Sequence, residues 1–154
     1  MNQKADVSAA SNATAGAASS TTPPTDMPRR DRRDRGVAVY AESFGVTPEE
    51  LPRAFTGRVG SLYAEEAILA AGGPAWNDPA LQDRDRSVAV LTALICQGVL
   101  GDRLDTHLDR AVRYGLDEHA LEVLMVLLAL YAGQARTSIA AEQIQAYFRR
   151  RTAG

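Results

Sequence analysis

The chain has 154 residues, of which 45% are hydrophobic, enough apolar material for one domain with a buried core. Its formal net charge is −2, which gives no electrostatic reason to expect nucleic acid as a partner. One cysteine, Cys96, excludes an internal disulfide and a CxxC motif. The apolar run at 123–133 is shorter than the roughly 20 residues that a membrane helix needs.

The N-terminal region differs in composition from the rest of the chain. Residues 1–26 are rich in Ala, Ser, Thr and Asn, which predicts a disordered tail because nothing in it can form a core. The tail lacks the apolar centre of a signal peptide, so we expect a cytoplasmic protein. The alternating charges of residues 29–35 are typical of a solvated linker, and the alternative is an anion-binding or partner-binding arm. We therefore divide the chain into a tail with linker, 1–33, and a helical domain, 34–154.

Helices are predicted through the first half of that domain. Residues 36–44 show a short apolar pattern of one or two helical turns. The sequence TPEE at 47–50 is typical of a helix start, with Thr47 as the cap and Glu50 three residues later. The helix that follows is predicted over about 53–71, ended by a Gly-Gly-Pro sequence.

The second half is predicted to be helical as well. Residues 76–81 have the Asn-Asp-Pro content of a loop. The next helix begins at 83–85 and ends near Gly98, with a buried face formed by Val88, Leu91, Leu94, Ile95 and Val99. A helical hairpin over 102–133 and a last helix over about 138–150 follow. No stretch has the pattern of a β-strand.

The hairpin is the element around which the domain is predicted to be organised. Apolar residues recur at the helical period in its first helix: Leu104, Leu108, Ala111 and Val112. His107 lies among them, so its imidazole is expected on the buried side. Gly115 can end this helix in a left-handed conformation, and Asp117 can cap the next one.

The second helix of the hairpin contains eleven consecutive uncharged residues, 123–133. A helix that is apolar on all sides is typically buried on all sides. We therefore expect it to be fully enclosed, with any pocket along its contact with the helix that carries His107.

The order and spacing of several residues resemble a known family. They are Arg35-Gly36, Gly45, Trp76, Pro79, Leu81, Arg86-Ser87, His107, Ala111, Gly115 and Tyr131-Ala132-Gly133. This pattern resembles the carboxymuconolactone decarboxylase family, which has the AhpD-like fold, and the resemblance covers about residues 34–148. It implies a compact all-α bundle that assembles into dimers, trimers or hexamers, with a pocket beside His107.

The same resemblance implies a choice of activities. The best-known members remove the carboxylate of a γ-lactone without a cofactor, and another branch uses a CxxC pair to reduce peroxides or disulfides. This chain has Asp78 where the family's motif has Arg, Arg103 where Glu is usual, and Leu127 where decarboxylases often have a second His. These differences concern the substrate rather than the fold.

Four residues are candidates for a site. His107 can act as general acid or base near neutral pH; the alternative is a core histidine bonded to a neighbour. Arg86 can bind a carboxylate or enolate through its planar guanidinium, or pair with a nearby aspartate. Trp76 and Tyr131 are candidate pocket walls, although both can equally serve as packing residues.

The remaining reactive side chains receive structural interpretations. Cys96 is predicted to be a buried small apolar residue, because thiol redox chemistry needs a second thiol. His119, in the first turn of a helix, is predicted to lie on the surface. Neither histidine has a ligand partner at i+4, so no metal site is expected.

These residues lead to three hypotheses of different classes. The first is a cofactor-free enzyme that acts by proton transfer on a small cyclic carbonyl or lactone compound, by decarboxylation, isomerisation or cyclisation. The second is a catalytically silent binding or scaffold subunit of the same fold, which the missing Arg and second His favour. The third is peroxide-reducing chemistry, which the single cysteine disfavours.

Overall fold

A computed structural model describes residues 27–153, so the predicted disordered tail lies outside the described part. Within that part the chain forms eight helices and no strand, which confirms the all-α class. The helices are α1 (Arg29–Phe44), α2 (Leu51–Val59), α3 (Ser61–Ala71), α4 (Pro74–Asn77), α5 (Asp83–Gln97), α6 (Asp102–Arg113), α7 (Glu118–Ala132) and α8 (Gln134–Thr152).

The apolar side chains gather into two core clusters. The N-terminal cluster joins α1, α2 and α3 through Val37, Ala41, Leu51, Phe55, Ala64 and Ile68. The C-terminal cluster joins α5, α6, α7 and α8, and its fully buried members include Leu91, Ile95, Leu104, Leu108 and Ile144. Helices α1 and α6 lie against each other where the two clusters meet.

Helix α1 begins at Arg29, so the segment predicted as a linker is helical and the predicted boundary at residue 33 lies inside a helix. Two of its arginines hold α3: Arg32 Nε donates to the Leu69 carbonyl at 2.7 Å, and Arg33 pairs with Glu65 at 3.0 Å. Alternating charges along a helix face permit such contacts. The charges of this segment therefore fasten α1 to its neighbour.

Two glycines bring the backbones of α1 and α3 into contact. A Cβ added at Gly36 would lie 1.8 Å from the Ile68 carbonyl oxygen, and one added at Gly72 would lie 1.6 Å from the Arg32 carbonyl oxygen. No side chain fits between these backbone atoms. The close approach places the second half of α1, with its aromatic residues, beside α2.

The single helix predicted over 53–71 is two helices. Gly60, with φ of +84°, ends α2 and begins α3, a backbone conformation that glycine adopts without steric cost. Helix α2 begins at Leu51 rather than directly after Thr47, so Thr47 is not its cap. The Thr47 N–H donates to the Glu50 carboxylate at 3.0 Å and the Glu50 N–H donates to the Thr47 hydroxyl at 3.3 Å, which closes the turn just before α2. Residues 74–77, partly predicted as loop, form the short helix α4.

The turn between α6 and α7 is as predicted, but the two helices are not packed along their lengths as a hairpin would be: α7 packs mainly on α8, and α6 packs mainly on α5. Gly115 has φ of +86°, and the Asp117 carboxylate accepts a hydrogen bond from the Ala120 N–H at 2.8 Å, so the predicted cap is confirmed. Leu104 and Leu108 are fully buried, as their spacing predicts. The last helix is longer than predicted and runs from Gln134 to Thr152.

The prediction that α7 is enclosed on all sides is wrong for the single chain. One side packs on α8 and the core through Leu121, Leu124, Met125 and Leu128. The other side is exposed, with Val126 at 69%, Leu130 at 79% and Tyr131 at 83% of their full accessible surface. Among the described helices, none has the length and apolar content to cross a membrane.

The contact between α1 and α3 predicts a large effect of one methyl group. We expect Gly36→Ala to lower the free energy of unfolding by about 2–3 kcal/mol, because the new Cβ forces the two backbones apart. Gly57→Ala is the matched control: Gly57 is helical, and nothing lies within 4 Å of an added Cβ, so this change should stabilise by about 0.5–1 kcal/mol. Urea unfolding measures both, and equal effects of the two changes would contradict the close contact.

Candidate functional site

A cavity of about 290 Å³ lies where α6 faces the N-terminal helices. Its lining side chains come from six helices: Val39, Tyr40, Ser43, Phe44, Phe55, Arg58, Val59, Tyr63, Trp76, Leu94, Asp102, Arg103, Thr106 and His107. We expected a pocket between α6 and α7; the cavity lies on the opposite side of α6. Since a water molecule occupies about 30 Å³ in the liquid, the cavity suits a ligand of about ten non-hydrogen atoms.

Helix α6 supplies the cavity because it has two distinct sides. Leu104, Leu108 and Ala111 face the C-terminal core. A second series recurs at the same helical spacing and faces α1 and the cavity region: Arg103, His107, Arg110 and Tyr114. The sequence prediction rests on the apolar series, although the polar series has the same period and marks the side of α6 that faces α1.

His107 is half-buried at the cavity wall. Burial lowers the pKa of its imidazole below 6.5, and the charges of Arg110 and Arg103 lower it further. The ring is therefore neutral at pH 7. Within the described residues the imidazole makes no hydrogen bond, which differs from the alternative of a core histidine bonded to a neighbour. A neutral imidazole whose nitrogens are not bonded to these residues can accept a proton from a bound molecule.

An aromatic wall lies opposite, on α1 and α2. The ring centroids of Tyr40 and Phe55 are 4.6 Å apart, and those of Phe44 and Phe55 are 5.4 Å apart. Burial and then the neighbouring Tyr63 raise the pKa of Tyr40, against the opposing charge of Arg103. The Tyr40 phenol is thus neutral at pH 7 and can donate a hydrogen bond.

Trp76 lines the cavity, and a buried arginine supports its ring. The guanidinium carbon of Arg110 lies 4.5 Å from the centre of the indole ring, a cation–π contact. Arg110 is only 4% exposed, and it pairs with Glu42 at 2.9 Å and with Asp83 at 3.8 Å. Its Nε is buried without a hydrogen-bond partner in the described part of the chain.

Glu42 joins α1 to α6 through three donors. Its carboxylate accepts from Arg110, from Arg113 at 2.8 Å and from the Tyr114 hydroxyl at 2.8 Å. Burial alone raises the pKa of Glu42, but these hydrogen bonds and the two arginine charges outweigh it and hold the pKa below its usual range. Glu42 and Arg110 were not predicted as part of the site, because their pairing depends on the docking of two distant helices.

Arg86, predicted to hold a substrate anion, is not at the cavity. It is 7% exposed, and its guanidinium donates to the Ala75 carbonyl at 2.7 Å, to the Asp78 carbonyl and to the Asp83 carboxylate at 3.2 Å. The alternative weighed for it, a pair with a nearby aspartate, is present. Arg86 thus holds the α4 segment against α5 and has no donor directed at the cavity.

The other singled-out residues lie outside the cavity. Tyr131 is on the exposed side of α7 and does not line it, contrary to our expectation. Cys96 is exposed rather than buried, so its predicted role in packing is wrong. His119 is exposed as predicted and lies 3.7 Å from Glu122. In residues 27–153 no three His, Cys, Asp or Glu side chains converge as a metal site would require.

Comparisons of the chain with protein-family models, with curated proteins and with solved structures give no match. The resemblance to the carboxymuconolactone decarboxylase family therefore rests on the residues and spacings quoted above.

The charges around His107 predict its titration. We expect the His107 ring protons to titrate with a midpoint below 6.5, and the midpoint to rise in Arg103→Gln because that change removes a nearby positive charge. The matched control is Arg53→Gln, an exposed arginine that does not line the cavity. NMR titration measures the midpoints, with the second histidine, His119, assigned through His119→Gln.

The lowered pKa has a consequence for stability with a definite sign. The folded chain binds this proton more weakly than the unfolded chain, so stability rises with pH between the lowered pKa and 6.5. His107→Gln should remove that part of the rise. A His107 midpoint at or above 6.5 would contradict the buried, cationic environment.

Proposed function

We propose that this protein is a cofactor-free enzyme that acts by proton transfer on a small cyclic carbonyl or lactone compound, as the family it resembles does. The observation that carries the proposal is the neutral His107 imidazole at the wall of an aromatic cavity, where it makes no hydrogen bond to any residue of the described part, 27–153. A single acid/base group in such a place is what decarboxylation, isomerisation and cyclisation each need.

The proposed chemistry uses two of the polar groups that line the cavity, His107 and Tyr40. In a proton shift, the neutral His107 ring takes the proton next to the carbonyl and returns it to another carbon. In a decarboxylation, the C–C bond to the carboxylate breaks, carbon dioxide leaves, and the electron pair moves into the conjugated carbonyl. The His107 imidazolium, protonated from solvent, then protonates the resulting carbanion. Tyr40, as a neutral phenol, can donate to the developing enolate oxygen.

Two positions at which the chain differs from the family's motif favour the second candidate, a binding or scaffold subunit. Asp78 replaces a motif arginine, and its carbonyl and carboxylate are engaged by Arg86 and the Ala80 N–H. Leu127 replaces a histidine and lies on the exposed side of α7. The third candidate, peroxide reduction, remains disfavoured because Cys96 is the chain's only thiol.

Loss of the His107 imidazole separates the enzyme from the binding subunit. We expect His107→Gln to slow catalysis by roughly 10²–10⁴-fold, the usual contribution of one acid/base group, without loss of the fold. The assay follows deuterium incorporation and carbon dioxide release by NMR in D₂O, with carboxylated γ-lactones and cyclic ketones as probes. The matched control His119→Gln changes the chain's other histidine, which is exposed and outside the cavity.

The outcomes of that assay are distinct. Full activity in a folded His107→Gln protein would remove the proposed mechanism. Absence of turnover across the probes in the wild-type protein would favour the binding subunit.

The proposal includes self-association through the exposed side of α7. Its side chains recur every three or four residues along one face: Val123, Val126, Leu127, Leu130 and Tyr131. Contiguous exposed apolar patches mark interaction surfaces on soluble domains. An uncharged stripe on a helix suits the same stripe on a second copy, since neither surface then buries an unpaired charge.

Light scattering coupled to size exclusion tests this assembly. We expect a mass that is a multiple of 16.5 kDa at micromolar protein. Leu130→Glu should shift the mass toward the single chain, because it buries a charge at the contact, while the helical circular dichroism stays unchanged. Thr56→Glu, at an exposed position of α2, is the control and should leave the mass unaltered. A wild-type mass near 16.5 kDa would refute the assembly.

A further inference from the structure

Two arginines at the cavity differ from the buried arginines nearby. Arg58 of α2 and Arg103 of α6 both line the cavity and are exposed at its opening. Within residues 27–153, neither forms an ion pair or a side-chain hydrogen bond, whereas Arg86 and Arg110 are both paired with carboxylates. The guanidinium carbon of Arg58 lies over the Phe44 ring, 5.0 Å from its centre, so a cation–π contact holds it beside the aromatic wall.

We propose that Arg58 and Arg103 form an anion-binding subsite, and that the ligand of this cavity is a small ring compound bearing one carboxylate. The ring would pack against the aromatic wall of Tyr40, Phe44 and Phe55, with the carboxylate toward the two guanidinium groups. The inference rests on the proposed function, because it identifies the cavity as the substrate site. Arg58 and Arg103 then take the place of Arg86 as the source of positive charge, because the Arg86 donors bond to groups of the protein.

The charge balance of the opening favours an anion. Asp102 also lines the cavity and opposes anion binding, but it is one carboxylate against two guanidinium groups. Tyr40 adds a neutral hydroxyl donor within the electrostatic reach of Arg103. Guanidinium groups bind carboxylates through two parallel hydrogen bonds, which gives geometric selectivity as well as attraction.

The exposure of both arginines limits the size of the effect. Charge pairs in contact with water contribute modestly and are screened by salt. We expect each arginine to contribute roughly a 2- to 5-fold preference for a carboxylate over a neutral ligand of the same shape. Together they give about a tenfold preference at low ionic strength, which falls toward onefold at about 1 M salt.

The lone tryptophan provides a direct readout of binding. Trp76 is the only tryptophan in the chain and lines the cavity, so its fluorescence reports a ligand there. The probes are benzoate and benzamide, which match in shape and differ in charge. We expect both to change the emission of the wild-type protein, with benzoate bound about tenfold more tightly at low ionic strength.

Three variants test the assignment of the charge. The double change Arg58→Gln with Arg103→Gln should reduce the benzoate preference to near onefold while benzamide binding stays unchanged. Asp102→Asn should increase the preference, because it removes the opposing carboxylate. Arg53→Gln, on the same helix as Arg58 but outside the cavity, should leave it unaltered.

Each other outcome overturns the inference. Equal binding of benzoate and benzamide by the wild-type protein, a preference that persists in the double variant, or no fluorescence change with either probe would exclude the subsite. If the double variant does not fold, the salt dependence in the wild-type protein and the opposite effect of Asp102→Asn decide the question. A benzoate preference together with full turnover by His107→Gln would keep the subsite and reject the proton-transfer mechanism, so the two failures are distinguishable.

Discussion

The buried guanidinium of Arg110 is the interaction on which the relation of the two core clusters depends. A charge removed from water is strongly unfavourable unless it is paired. Its partners come from different elements, Glu42 on α1 and Asp83 on α5, while Trp76 of α4 covers its face. All three contacts form only when α1 and α4 dock on α5 and α6 in one orientation. The cavity lies at that junction, so its shape depends on the same pairing.

The same charge acts on the candidate site. Arg110 lies one helical turn from His107, and after burial its charge is the next cause that lowers the His107 pKa. The residue that fixes the docking of the helices thus adds to the effect of burial in lowering the His107 pKa. Because α6 carries an apolar series toward one core and a polar series toward α1, one short helix supplies both the core contact and His107, the proposed acid/base group.

Local patterns predicted the parts of this arrangement that depend on neighbours in sequence. The amphipathic period of α6 and the Asp117 cap follow from spacing alone. The pocket was expected on the other side of α6, because the apolar series does not show that the polar series with His107 faces α1. The uncharged run of α7 did not reveal its exposure, since composition does not say whether the same chain or another copy covers a face. Arg86 was assigned to a ligand because its backbone acceptors in the α4 segment appear only after folding.

Burial separates the structural arginines from those available to a ligand. A guanidinium enclosed by protein must find acceptors there, and Arg86 and Arg110 do so with carbonyls and carboxylates of the chain. An exposed guanidinium does not need protein acceptors, because solvent water satisfies its donors. Arg58 and Arg103 are exposed, so the lack of an ion pair costs them little free energy. In the sequence these two kinds of arginine are indistinguishable. The depth at which each guanidinium lies decides which of them fix the fold and which can meet an anion.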